Sequence, residues 1–196
     1  MHSYSIRFIP FVISASVLLC HPSAIGWASD SPNHVCSGKN CFEKKVDVAG
    51  VNLPLRGAGT KTFMLMKIFD AALYVSPDIP SGDVLGPSAK KLVIRYRRSI
   101  SREQLIETAE SHLKKHSPVD YAQIQSRAAQ LHAVYKDVHA GDEYSLVFIP
   151  GRGTELLFNG HPEIMIPGDD FSAAYFSIWL SDHIFCKRLR NKLLNL

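Results

Sequence analysis

The 196 residues suffice for one domain, and hydrophobic and charged shares of 46% and 20% exclude a disordered or fibrous chain. Twenty-two basic against 18 acidic residues give a net charge of +4, too small and too scattered for a nucleic-acid-binding footprint. A domain of this size removes roughly two-thirds of its unfolded surface from water, so stability requires neither a metal nor a disulfide scaffold.

Residues 1–28 have the layout of a secretory signal peptide. Arg7 is their only basic residue, and Phe8 to Cys20 forms an apolar stretch too short to span a bilayer as a helix. Gly26 and Ala28 place small residues at the −3 and −1 positions, so cleavage is expected after Ala28. Leu19 before Cys20 speaks against a lipoprotein. The processed chain, with a net charge of about +3 once Arg7 is lost, is expected to be periplasmic or secreted.

Residues 29–42 are polar and punctuated by Ser, Pro, Asn and Gly, and read as a flexible tail. In an oxidising compartment Cys36 and Cys41 could close the short loop SGKN as a disulfide; free thiols are the alternative. With His34 they make only three nearby ligands, short of the four a structural zinc takes, so no metal is expected. Cys186 has no sequence neighbour and reads as a small apolar filler.

One domain is expected over 43–196. Val46, Val48 and Val51 mark a strand over 43–55, and LRGAGTK carries the glycines of a turn or bulge. Thr62 to Val75 reads as one long apolar strand with a bend. In Lys90 to Arg98, Leu92, Ile94 and Tyr96 alternate with Val93, Arg95 and Arg97, which predicts a half-buried strand with a polar outer face. Ser101 with Gln104 forms a capping box ahead of a helix striped by Leu105, Ile106, Ala109 and Leu113. Ser117-Pro118 opens a second helix whose Tyr121, Ile124, Ala128, Leu131 and Tyr135 form a buried face. His112, His116 and His132 show no metal-ligand spacing and read as surface or hydrogen-bonded histidines.

Strands Glu143–Ile149 and Thr154–Phe158 flank the turn PGRG, and a third strand follows from His161 to Ile166. A helix after Pro167-Gly168-Asp169 and another from His183 to Leu194 end the chain. Lys187, Arg188, Arg190 and Lys192 fall on that last helix and read as a solvated, dipole-complementing cluster. Strands in blocks rather than alternating with helices predict an α+β domain, an antiparallel sheet with helices on one face.

Three stretches carry a resemblance: GVNLPLRGAGTKTFMLMKIFDAALYV (50–75), KLVIRYRRSISREQL (91–105), and Asn159-Gly160 followed by FSAAYFSIWLSD. In this order they resemble the bacterial chalcone-isomerase-like family. The resemblance implies an open-faced sandwich, a large antiparallel sheet backed by helices with a ligand cleft between them. In the plant isomerases of that fold, an arginine on the G-x-G-x-R turn, a threonine and a tyrosine assist closure of a chalcone to a flavanone. Here the arginine position falls on Lys61, the threonine position near Phe69, and the tyrosine position on Arg102-Glu103-Gln104. Lysine keeps the charge and loses the two-pronged geometry.

The non-catalytic relatives bind fatty acids, so the resemblance implies a small hydrophobic or anionic ligand held by Lys61, with Tyr74 or Tyr96 supplying a hydroxyl. No cofactor is expected. An isomerase or intramolecular lyase anchored by Lys61, with Arg95 or Arg97 contributing, is the alternative, and a cell-envelope interaction protein a second. No Ser-His-Asp, Cys-His or paired-carboxylate arrangement supports a hydrolase.

Overall fold

The computed structural model describes residues 33–182 and 187–196. The leader and its cleavage point after Ala28, residues 29–32, Cys186 and the expected beginning of the last helix at His183 lie outside the described residues.

Strands β1 (His34–Ser37) and β2 (Asn40–Glu43) form a hairpin closed by the Cys36–Cys41 disulfide. Seven more strands follow: β3 (Lys45–Val48), β4 (Val51–Phe63), β5 (Met66–Val75), β6 (Lys90–Tyr96), β7 (Glu143–Ile149), β8 (Gly153–Phe158) and β9 (His161–Ile166). They pair antiparallel in chain order, so each strand lies beside its successor. Helices α1 (Arg102–His116) and α2 (Tyr121–Ala133) are inserted between β6 and β7, and α3 (Asp169–Leu180) and α4 (Lys187–Leu194) close the chain.

Side-chain alternation assigns each strand residue to one of two faces. Ala71, Leu73, Leu92, Ile94, Leu146 and Phe148 form the core with the helices, whose buried contributions include Leu113, Ile124, Leu131, Phe171 and Phe176. Val48, Leu53, Ala72, Tyr74, Val93 and Val147 form a second cluster on the opposite face, covered by Phe42. The outer face of β6 is therefore buried at its centre rather than half-exposed, and residues 34–42 are an ordered cover rather than a tail. Phe42, 1% exposed, is worth about 1.5–3 kcal/mol to that cover.

The helix ends follow local chemistry. The capping box forms as expected, with Ser101 Oγ accepting from the Gln104 amide and the Ser101 amide donating to Gln104 Oε1. Helix α2 starts later than Ser117-Pro118 predicts, because the Asp120 side chain caps it by accepting from the Ala122 amide. Tyr135 lies beyond its end.

The glycines of LRGAGTK lie inside β4, with a register shift between Leu55 and Gly57. They face α4, whose backbone comes so close that a Cβ on Gly57 would stand 2.1 Å from the Lys192 carbonyl oxygen. Thr62 to Val75 is not one bent strand. Phe63 pairs with Met66, and the chain reverses through Met64 and Leu65.

Candidate functional site

Strand parity places Gly57, Gly59 and Lys61 on the helix-facing side of β4. Lys61 pairs with Phe69 of β5, which pairs with Tyr96 of β6, so the three form one row across that face. Lys61 and Tyr96 are each 6% exposed. With strands about 4.8 Å apart, two spacings separate them. The Tyr96 ring meets Phe69 edge-on at 6.0 Å between centroids and Tyr144 at 6.3 Å.

Behind Tyr96 the row continues into a cluster that sequence reasoning did not single out. Tyr144 contacts the rings of Tyr135 and Phe158, and its oxygen accepts from the Lys136 amide. The Tyr135 and Tyr175 hydroxyls are 2.7 Å apart, and Tyr175 lies 3.1 Å from His132 Nε2. His132 Nδ1 lies 3.3 Å from Glu110 Oε1, while Lys114 and Tyr121 donate to Glu110 Oε2.

The carboxylate fixes the direction of this chain. It can only accept, so His132 carries its proton on Nδ1, Tyr175 donates to Nε2, and Tyr135 donates to Tyr175. Burial lowers the His132 pKa and outweighs the opposing pull of Glu110, which keeps the ring neutral at pH 7. Burial raises the Glu110 carboxyl, but the bonds from Lys114 and Tyr121 overcome it and hold the carboxyl below its ordinary range. Burial holds the Tyr96 and Tyr175 phenols well above theirs. The region is thus an aromatic wall of neutral hydroxyls, with a buried lysine at its other end.

The remaining sequence-predicted residues lie elsewhere. Tyr74 does not meet Lys61 and Tyr96: alternation sends Leu73 toward the helices and Tyr74 to the outer face, where its hydroxyl donates to the Glu43 carbonyl. Burial, then the nearby Glu43, pushes its pKa up to about 12. Arg95 bonds Glu143 and the Cys41 carbonyl on that same outer face, and Arg97 pairs with Asp70. His112 is buried and donates from Nε2 to Ser177 Oγ, whose own proton goes to the Ala174 carbonyl. His116 is exposed.

A second lysine on the helix-facing side, Lys90, is fully buried at the far end of the sheet. Its ammonium donates to the Gly86 carbonyl at 2.6 Å and sits over the Phe148 and Phe176 rings. Burial pulls its pKa down to about 8, with Asp169 opposing. The folded state thus binds fewer protons than the unfolded chain between about pH 8 and the ordinary lysine range. The cost is present in full below that window and is relieved as pH rises through it. Relative to Lys90→Met, the wild type is expected to gain up to a few kcal/mol across the window. Urea unfolding of both proteins at stepped pH up to about 10 checks this, the ionisation of the unfolded chain's tyrosines near that pH affecting the two alike; equal slopes would refute it.

Among the described residues no group of three or more His, Cys, Asp and Glu is arranged to hold a metal, and no helix is long and apolar enough to cross a membrane. The family model described as chalcone isomerase-like matches residues 37–195. The chain belongs to the chalcone isomerase-like family. No curated protein sequence matches it. Its fold is similar to the crystal structure of a fatty-acid binding protein of Arabidopsis thaliana. That likeness has a TM-score of 0.58 at 14% identity, over 80% of this chain and 92% of the other. At that identity the likeness concerns the fold. In this chalcone isomerase-like protein the family's sheet and helix layer therefore enclose Lys61 and Tyr96 on their shared face.

Proposed function

We propose that this chalcone isomerase-like protein binds a small amphipathic acid, such as a fatty acid, between the sheet and its helices. Lys61 meets the carboxylate, and Tyr96 with its aromatic neighbours lines the apolar path. The observation that carries the reading is the buried row Lys61–Phe69–Tyr96 on the helix-facing side. A cation set in apolar and aromatic surroundings suits an anionic head on an apolar body. The fatty-acid binding function of the structurally similar plant protein supports it. The isomerase reading loses support because Arg95 and Arg97, its auxiliary cations, belong to the other face.

We also propose that the protein acts after export. The leader and the Cys36–Cys41 disulfide both suit an oxidising compartment. N-terminal sequencing of the mature protein from cell fractions tests this, with Ser29 as the expected first residue.

Displacement of a fluorescent fatty acid tests the ligand reading. Lys61→Met is expected to weaken binding about 10- to 100-fold, the worth of a charge-assisted hydrogen bond, and Lys61→Arg to retain most of it. A wild-type protein that binds no fatty acid would sink the reading, as would a Lys61→Met protein that binds equally well.

A further inference from the structure

The tip of the β4–β5 hairpin is built against the ordinary rules of turns. Met64 and Leu65 occupy the two central positions with φ of 43° and 66°, the left-handed region that two-residue hairpins usually fill with Asn-Gly. Neither side chain is compensated by burial: Met64 is 78% exposed and Leu65 98%, flanked by Phe63 at 57% and Met66 at 43%. Four consecutive apolar residues are thus carried outward on a strained turn. Strain of this kind clusters at functional sites.

Beneath the tip lies a cleft of about 680 Å³ whose lining includes Lys39, Lys67, Arg97 and Arg98 and no acidic side chain. Lys39, Lys67 and Arg98 are exposed, and the Arg98 guanidinium rests against the Met66 sulfur. Lys67 stands two residues behind Leu65, about 7 Å along the strand. Interfacial segments bury their apolar side about 5–10 Å into the boundary between headgroups and acyl chains, which would set this collar at the phosphates.

We propose that the β4–β5 tip is a docking finger for anionic phospholipid bilayers. Phe63, Met64, Leu65 and Met66 enter the acyl boundary, and Lys39, Lys67 and Arg98 meet the lipid phosphates. The charge of the collar selects the partner: a purely apolar protein partner would need no ring of cations, and a soluble anion would need no exposed apolar tip. The proposal does not rest on the ligand reading, since a different set of residues carries it.

Cosedimentation with vesicles of equal parts phosphatidylglycerol and phosphatidylcholine, and of phosphatidylcholine alone, tests it. The full-length mature protein is expected to bind the anionic vesicles, more weakly at high salt and more weakly still without phosphatidylglycerol. The double substitution Met64→Asn, Leu65→Gly should reduce binding about tenfold or more. It installs the residues this turn geometry prefers, so a melting temperature at or above wild type would exclude misfolding as the cause. Lys67→Glu with Arg98→Glu should remove the preference for anionic vesicles. Undiminished binding by the Asn-Gly variant would overturn the proposal, as would no binding to either vesicle. A concentration-dependent dimer abolished by that variant, without vesicle binding, would also overturn it and assign the tip to a second copy of the chain.

Discussion

Gly57→Ala is expected to destabilise the protein by about 3 kcal/mol or more, a large effect for the addition of one methyl group. The added carbon would stand 2.1 Å from the Lys192 carbonyl oxygen and 2.8 Å from that of Leu193. Both are backbone atoms, so no rotamer change relieves the clash, and α4 must move off β4. Moving it exposes Leu189, Leu193 and Leu194, each buried now and worth about 1.5–3 kcal/mol. Gly59→Ala is the internal control. Its nearest neighbours are Lys192 Cβ at 2.9 Å, which moves only with the α4 backbone, and Leu189 Cδ1 at 3.0 Å, which can change rotamer. The overlap is far smaller than at Gly57, so a loss of about 1–2 kcal/mol is expected. Urea midpoints for the two variants decide the matter. A Gly57→Ala protein with the wild-type midpoint would show that close docking of α4 contributes little.

The second large effect is expected at Asp70, which is fully buried on the outer face of β5. Thr60 Oγ1 donates to its Oδ1 at 2.5 Å, and Asn40 Nδ2 to its Oδ2 at 2.8 Å. The Lys39 amide and the Arg97 guanidinium complete the set. Two of those donors come from the disulfide-closed hairpin, whose turn at Gly38 sits directly on the carboxylate. A buried anion with this many donors fastens the hairpin to the sheet. Asp70→Ala strands the donors together with a guanidinium that is largely out of water, and a loss of about 3–5 kcal/mol is expected. Hydrogen exchange should quicken at amides 34–43 before the rest of the sheet responds. Unchanged protection there would mean that the disulfide and Phe42 hold the hairpin without Asp70.

Much of the architecture was legible because it depends on local chemistry. The capping box at Ser101, the turn PGRG and the alternation of β6 each name their own structure, and strands in blocks pointed to the antiparallel sheet. What escaped depended on partners distant in sequence. Nothing in Met64-Leu65 resembles a turn, so the long apolar run concealed a hairpin. The stretch around Cys36 looks like a tail until Asp70, Arg95 and Tyr74 are brought beneath it. Parity could have carried the site further than it did. The alternation that put Leu92, Ile94 and Tyr96 on one side also puts Lys90 there, and counting back from Val75 separates Tyr74 from the helix-facing side. His132, Tyr135 and Tyr175 come from different elements, and no spacing within the chain announces that their polar atoms meet.

A sheet whose strands follow chain order has two open margins, here β3 and β9, and each presents backbone groups to which a foreign strand could add. Both margins are blunted. Strand β3 is four residues long, with Lys45 and Asp47 exposed. Strand β9 carries Pro162, which has no N–H to offer, beside a register irregularity in its pairing with β8. Growth of the sheet into a neighbouring molecule is disfavoured at either end. Contacts with other surfaces are therefore left to side chains, and Met64 and Leu65 at the end of the β4–β5 hairpin are the most exposed of the large hydrophobic ones described.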